Sequence, residues 1–305
     1  HFSVLDDHEG TLLKRAAVDA VMARAAAAKD SGLGMALATI IGLTSEDYFR
    51  QVMDVVLGKR AELERMMALH DSLDDWAAAE AEALKHVLGV AEADEAELIA
   101  ALGDVLSENQ LDASVARFSG SPSTAKTDKD AEALLRQAKG AQGETRAAIL
   151  RALFLTQKSE ARASLCTKGF RAFAPEIAAM LDDAKARFAA IESELAHLRV
   201  AEASGAVIVL ADAIQADYER RKRNRAVLDY DDLIIKARHL LSRAGAAAWV
   251  LYKIDGGVDH ILVDEAQDTT TQQWSIIESL AEEFFAGASA HERLRTLFAV
   301  GDKKQ

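Results

Sequence analysis

Proline and cysteine are nearly missing from this chain: among 305 residues there are two prolines, Pro122 and Pro175, and one cysteine, Cys166. A single cysteine excludes an intramolecular disulfide framework and fits a reducing compartment. Aromatic residues make up only 6% although half of the chain is hydrophobic, and alanine is abundant. Few prolines with much alanine predict long helices. No run reaches the roughly 18 apolar residues of a membrane span. The start, His1-Phe2-Ser3-Val4-Leu5-Asp6-Asp7, has no basic stretch ahead of an apolar one, so no signal peptide is read. A cytoplasmic protein without a membrane segment is expected. The formal net charge of −13 excludes a surface coated throughout with nucleic acid, although a local basic groove remains compatible with it.

What is present is helical pattern, one stretch after another, up to about residue 255. Leu12, Leu13, Ala16, Ala17 and Val21 recur at helical spacing. Thr44 or Ser45 caps a helix whose stripe is Phe49, Val52, Met53 and Val56. A further amphipathic run spans about 61–70, and another carries Leu73, Trp76, Leu84 and Val87. Small polar residues with Gly and Pro at 119–127 mark an exposed loop, and Gly140–Gly143 a weaker break. Two long helices follow, about 175–200, opened by Pro175, and about 204–224, with Val207, Leu210, Ala211, Ile214 and Tyr218 on one face.

The pattern then changes. Asp255-Gly-Gly257 reads as a turn, and His260-Ile-Leu-Val263 as a short buried strand ending at once in Asp264-Glu265. Thr270 with Gln273 three residues on is a capping box, opening a helix with the stripe Trp274, Ile277, Leu280 and Phe284. After a polar loop at about 287–293, Thr296-Leu-Phe-Ala-Val300 is a second strand, closed by Gly301-Asp302. Strand, helix, strand is a βαβ unit, so the two strands should be parallel.

The chemistry centres on Asp264-Glu265-Ala266-Gln267-Asp268. In open α/β sheets ligands bind beyond the carboxyl ends of strands. A pair of acids there suits nucleotide hydrolysis, one holding Mg²⁺ and the other orienting and deprotonating water. Gln267, a donor and acceptor, is placed to sense a γ-phosphate. Gly301-Asp302-Lys303-Lys304-Gln305 ends the second strand and should lie at the same sheet edge. An Asp-Glu pair alone is commonly no more than a helix N-terminus, where acids suit the dipole. The strand, the Ala-Gln-Asp continuation, the capped helix and the second polar strand end together favour a site.

These residues carry a resemblance. Asp264-Glu265-Ala266-Gln267-Asp268 resembles motif II of the UvrD/RecB-like superfamily 1 DNA helicases, and Gly301-Asp302-Lys303-Lys304-Gln305 resembles the start of their motif III. Leu228-Asp229-Tyr230-Asp231-Asp232-Leu233-Ile234 is similar to a Leu-Asp-Phe-Asp-Asp-Leu segment upstream of motif II. Within the superfamily, Phe2-Ser3-Val4-Leu5-Asp6 and the alanine-rich helices look most like AddA-type helicase subunits of double-strand-break repair helicase–nucleases. The resemblance implies that Asp264 is the Mg²⁺ ligand and Glu265 the catalytic base. It implies too that Gln267 and Gln305 couple the ATP γ-phosphate to movement. It implies DNA as substrate, exonuclease activity in the whole protein and a second, AddB-like subunit. No Gly-x-x-x-x-Gly-Lys-Ser/Thr occurs in the chain. The chain is therefore expected to be an internal fragment that does not hydrolyse ATP alone.

The fold expected is mainly α with a partial α/β portion. A helical accessory domain over 1–225 is inserted into an incomplete RecA-like P-loop NTPase lobe, whose portion at 226–305 has two parallel strands with unpaired edges prone to association. Two alternatives stand beside the motor reading: a non-catalytic helical module that binds DNA or a partner subunit, and a repair helicase of the same superfamily without nuclease. Arg220, Arg221, Lys222 and Arg225 form a basic run that can grip DNA phosphates or simply end a helix, where cations suit the dipole. Asp229, Asp231 and Asp232 read as a helix cap rather than a metal site. Cys166 has no neighbouring histidine and reads as an inert thiol. Trp76, Trp249 and Trp274 sit on apolar stripes, which favours core packing.

Overall fold

A computed structural model of the chain describes residues 2–242, 249–250, 253, 258–285 and 295–302. The turn expected at 255–257, the polar loop at 287–293 and Gln305 lie outside the described residues. Strand β1 (Ser3–Val4) precedes the helices α1 (Asp7–Ala27), α2 (Gly32–Ile41), α3 (Glu46–Leu57), α4 (Arg60–Met67), α5 (Leu73–Val87) and α6 (Glu95–Gly103). Then come α7 (Glu108–Ser119), α8 (Lys126–Lys139), α9 (Gly143–Phe154), α10 (Lys168–Phe173) and α11 (Pro175–Arg225). Strand β2 (Val227–Leu228), α12 (Tyr230–Leu241), β3 (His260–Val263), a 3₁₀ turn (Ala266–Asp268), α13 (Thr271–Phe285) and β4 (Thr296–Ala299) complete the chain.

Local chemistry sets the helix ends. The side chains of Ser31, Ser72, Asp94, Ser107 and Thr167 each accept a backbone N–H of their own first turn, satisfying a donor that the helix leaves open. Glycines 42, 120 and 140 follow α2, α7 and α8, so the loops read at 119–127 and 140–143 fall where expected.

One expectation is corrected here. The two helices read at 175–200 and 204–224 are a single 51-residue helix, α11. Ser204-Gly205 does not break it, and the Ser204 hydroxyl donates to the Val200 carbonyl inside the helix. Gly205 instead makes room for a neighbour: a Cβ there would stand 2.8 Å from the Ala77 carbonyl oxygen of α5.

Contacts divide the chain into two compact units. The helical unit comprises Ala25–Val56 and Met66–Ala211. Its core runs from Leu102 to Leu195 and is built on Leu106, Leu111, Leu135, Leu150, Phe154 and Phe188. Phe118 stacks on Phe170 with centroids 3.8 Å apart, and Phe154 tilts against Phe188 at 5.4 Å. The tilted pair suits the ring quadrupoles. Trp76 is buried here, as its stripe predicted.

The strand-bearing unit is assembled from His1–Arg24, Leu57–Arg65 and Asp212–Gln305. A linear cut at residue 225 therefore leaves three of its stretches, 1–24, 57–65 and 212–225, on the helical side. β3 and β4 pair in parallel, His260 with Thr296 through Val263 with Ala299, as the βαβ pattern required. A second parallel pair joins β1 to β2, with Ser3 opposite Val227 and Val4 opposite Leu228. The expectation of a buried strand at 260–263 is corrected: only Val263 is buried, and Leu262 is 71% exposed. A two-stranded sheet has neither neighbouring strands nor two covering layers. Trp249, expected in a core, is exposed.

Candidate functional site

The β3–β4 ladder delivers two polar strand ends to one place. Beyond the paired residues the Val300 N–H donates to the Val263 carbonyl at 2.9 Å, and the Ala266 N–H donates to the Val300 carbonyl at 2.8 Å. Asp264 and Glu265 thus leave β3 directly beside the end of β4. The Glu265 N–H donates to Asp264 Oδ1 at 3.0 Å. No other protein partner of the Asp264 carboxylate is found among the described residues.

Glu265 has φ 49° and ψ 49°, the left-handed region that side chains other than glycine seldom adopt. That turn starts the 3₁₀ segment, where the Asp268 N–H returns to the Glu265 carbonyl at 2.9 Å. Strained backbone held by its surroundings is a feature of functional sites. The conformation brings Gln267 back over Glu265, and Gln267 Nε2 donates to Glu265 Oε2 at 2.6 Å.

The other end of the same amide reaches the second strand. Gln267 Oε1 accepts the Asp302 N–H at 3.0 Å. One side chain therefore bridges the acid after β3 and the backbone after β4. Gly301 is needed for this approach: a Cβ on it would lie 2.7 Å from Gln267 Oε1 and 3.1 Å from the Gln267 nitrogen. An open depression beside the carboxylates is lined by Asp264, Glu265, Asp268, Thr269, Gln273 and Ile277. The capping box seen in the sequence is formed, with the Gln273 N–H on Thr270 Oγ1 and the Thr270 N–H on Gln273 Oε1. It anchors α13 at the rim of the depression.

The sequence located Asp264, Glu265 and Gln267, and the structure brings all three together. It left unstated the steric demand on Gly301 and the Asp302 amide as partner of Gln267. The Gly-Asp pair closing a strand was the available signal. Gln305 lies outside the described residues.

The basic run divides. Lys222 has a side chain only 2% exposed, and its Nζ contacts Asp232 Oδ2 at 2.5 Å, Glu219 Oε1 at 2.7 Å and Asp229 Oδ2 at 2.9 Å. This corrects its reading as a phosphate grip, because its three hydrogen-bond donors are all spent on carboxylates. Burial pushes the ammonium pKa down, but the bonds to Asp232, Glu219 and Asp229 outweigh that and hold it above the ordinary lysine value. Arg60 from α4 joins the cluster, bonded to Glu219 and Asp232, each at 2.8 Å. Arg220 and Arg221 both pair with Asp217, while Arg225 is exposed. Asp229 caps α12 in a reciprocal box with Asp232. No group of three potential metal ligands exists among the described residues. Cys166 is buried, and burial raises its thiol pKa, as an inert thiol requires. No described helix is long and apolar enough to cross a membrane.

The chain matches the UvrD/REP helicase N-terminal domain family over residues 57–305. It is also similar to the RecBCD enzyme subunit RecB of Mycolicibacterium smegmatis, at 37% identity over 92 residues. That stretch is 30% of this chain and 7% of the relative, so the chain covers a small part of that protein's length.

Proposed function

The chain belongs to the UvrD/REP helicase N-terminal domain family, and from that premise we propose that Asp264, Glu265 and Gln267 are the hydrolytic and sensing residues of an ATP-driven DNA motor. The observation that carries this reading is the bonded run from Glu265 Oε2 through the Gln267 amide to the Asp302 N–H, which joins both strand ends.

Asp264 is the Mg²⁺ ligand in this reading, and its surroundings fit the role. Its carboxylate is exposed at a strand end, with Oδ1 oriented by one N–H. Magnesium takes one or two protein carboxylates and completes its shell with water and substrate phosphates. Bound Mg²⁺ supplies neutralisation of the charge on the β- and γ-phosphates. Glu265 accepts a proton from the attacking water at the carboxylate oxygen not bonded to Gln267. Gln267 holds Glu265 in that orientation and, through Asp302, ties it to the end of β4. Loss or gain of a phosphate beside Gln267 then pulls on two strands, and Gln305, in the segment after β4, is assigned to the same coupling.

In the linear reading the motor lobe portion is 226–305 and the helical accessory domain 1–225. The finer assignment is an AddA-type subunit that unwinds DNA ends in recombinational double-strand-break repair. It works in the cytoplasm with exonuclease activity and an AddB-like partner. The similarity to a protein itself named as a subunit of an enzyme supports a multisubunit setting.

The test is DNA-stimulated ATPase of the full-length protein, wild type against Glu265→Gln. A fall of about 10²–10⁴-fold with nucleotide binding retained is expected for loss of a general base. An unchanged rate removes the catalytic assignment and leaves a helical module that binds DNA or a partner subunit.

A further inference from the structure

Within the strand-bearing unit the chain turns from α11 into α12 through an elbow that is held in three ways. Ala226, the residue after α11, has φ 53°, in the left-handed region that alanine seldom adopts. β2 follows at once and is pinned to β1. There the Ser3 N–H donates to the Ala226 carbonyl at 3.2 Å, and the Leu5 N–H to the Leu228 carbonyl at 2.8 Å. Asp229 then caps α12, and its Oδ2 accepts a bond from Lys222 in the last turn of α11.

Arg60 ties a third helix to this elbow. Its Nη1 reaches Glu219 Oε1 of α11 and Asp232 Oδ1 of α12, while its Nε bonds Glu64 of its own helix, α4, at 3.0 Å. Asp232 is buried and takes Arg60 on one oxygen and Lys222 on the other. The first turn of α12 is therefore fixed between two cations. Capping alone does not call for them, because Asp229 and Asp232 already close a reciprocal box.

The neighbour of α12 gives this arrangement a use. α12 packs against α13. The start of α13 is the capping box of Thr270 and Gln273, and Gln273, Ile276 and Ile277 line the depression beside Asp264 and Glu265. Close-packed elements pass displacements on rather than absorb them, so a shift of α12 reaches that rim. A misplacement of about 1 Å at a reacting centre can cost about 10²-fold in rate.

We propose that Arg60, acting with Lys222, is a positioning residue for ATP hydrolysis: it fixes α12 on the end of α11, α12 sets α13, and α13 holds the rim beside which Glu265 is aligned. The inference deepens the hydrolytic reading of Glu265 and rests on it.

The test uses the full-length protein with Arg60→Gln, which leaves Lys222 to neutralise Asp232 and so spares the fold. The kcat of DNA-stimulated ATPase should fall several-fold at unchanged KM for ATP, as when an interaction made only in the transition state is lost. Amides at 274–277 should exchange faster, while those of α7–α9 keep their wild-type rates. Glu64→Gln removes only the exposed partner of Arg60 and should leave both readouts unchanged. A double-mutant cycle with Gln273→Ala separates positioning from a simple loss of folded protein. The factor in kcat lost to Gln273→Ala should be smaller in the Arg60→Gln background than in the wild type. Factors that multiply, or wild-type kcat or wild-type exchange at 274–277 in Arg60→Gln, overturn the proposal. ATPase that survives Glu265→Gln, alongside faster exchange at 274–277 in Arg60→Gln, removes the hydrolytic reading and leaves α13 set by Arg60.

Discussion

At Gly301 a single absent methyl group decides whether Gln267 reaches the second strand. Gly301→Ala places a carbon 2.7 Å from Gln267 Oε1, closer than real contacts allow, so the amide must shift and its bond to the Asp302 N–H is weakened. The expected outcome is a several-fold loss of DNA-stimulated ATPase in the full-length protein, with unfolding free energy lowered by only about 1–3 kcal/mol. Wild-type ATPase in that variant would show that the Glu265–Gln267–Asp302 run is not used. Asp264, Glu265 and Gln267 were legible because strand end, acid pair and amide sit within a few residues of one another. Gly301 reads in sequence only as the end of a strand, since its steric demand comes from a residue 34 positions earlier.

At the scale of elements, the cluster at the start of α12 joins segments that sequence periodicity treats as separate. Lys222 on α11 and Arg60 on α4 together face Glu219, Asp229 and Asp232. Tyr218 donates to Asp229 at 3.0 Å, and its ring lies 4.6 Å from Lys222 Nζ. Lys222→Met strands buried carboxylates and should cost about 3–5 kcal/mol by urea unfolding, as breaking a buried ion pair does. The pH dependence follows from the same contacts. Burial raises the Asp232 carboxyl pKa, but the bonds from Lys222 and Arg60 outweigh it and leave it below the ordinary value. Its contribution is complete above about pH 4 and is lost as pH falls through that lowered value. The Lys222 pKa is raised, so its contribution is complete below about pH 10 and lost as pH climbs through the raised value. Stability should therefore decline on both the acid and the alkaline side. Lys222→Met should flatten both limbs, and limbs as steep as wild type would show that the cluster does not set them. The cap at Asp229 was legible from one turn of sequence, whereas its second role, holding Lys222, was not.

Over the whole molecule, burial is uneven. In the helical unit Leu106, Leu111, Leu135, Leu150, Phe154 and Phe188 are all fully buried. In β3 and β4, Leu262 is 71% exposed and Phe298 60%. Amide hydrogen exchange tracks local burial and contact density. The α7–α9 amides should exchange slowest, and those of His260–Val263 and Thr296–Ala299 much faster. Equal protection of both sets would overturn this, and would point to self-association through the open strand edges. The helical character of the chain was legible in its composition and apolar spacing, which act within a few turns, and several helices also carry a side-chain cap in their own first turn. The interleaved composition of the strand-bearing unit was not, since its pieces lie up to hundreds of residues apart and no local pattern links them.

The sequence by itself determined the helices, the βαβ order and the acid pair at the end of β3, because spacing, capping and strand alternation act over a few residues. Tertiary structure decided that α11 runs unbroken past Gly205, that Ser3–Val4 pairs with Val227–Leu228, and that Lys222 is enclosed while Arg225 stays open. Those outcomes depend on partners brought together only by folding, as when Arg60 meets Asp232 across 172 residues of chain. Whether a cation faces water or a carboxylate is a property of that meeting, and no local pattern carries it.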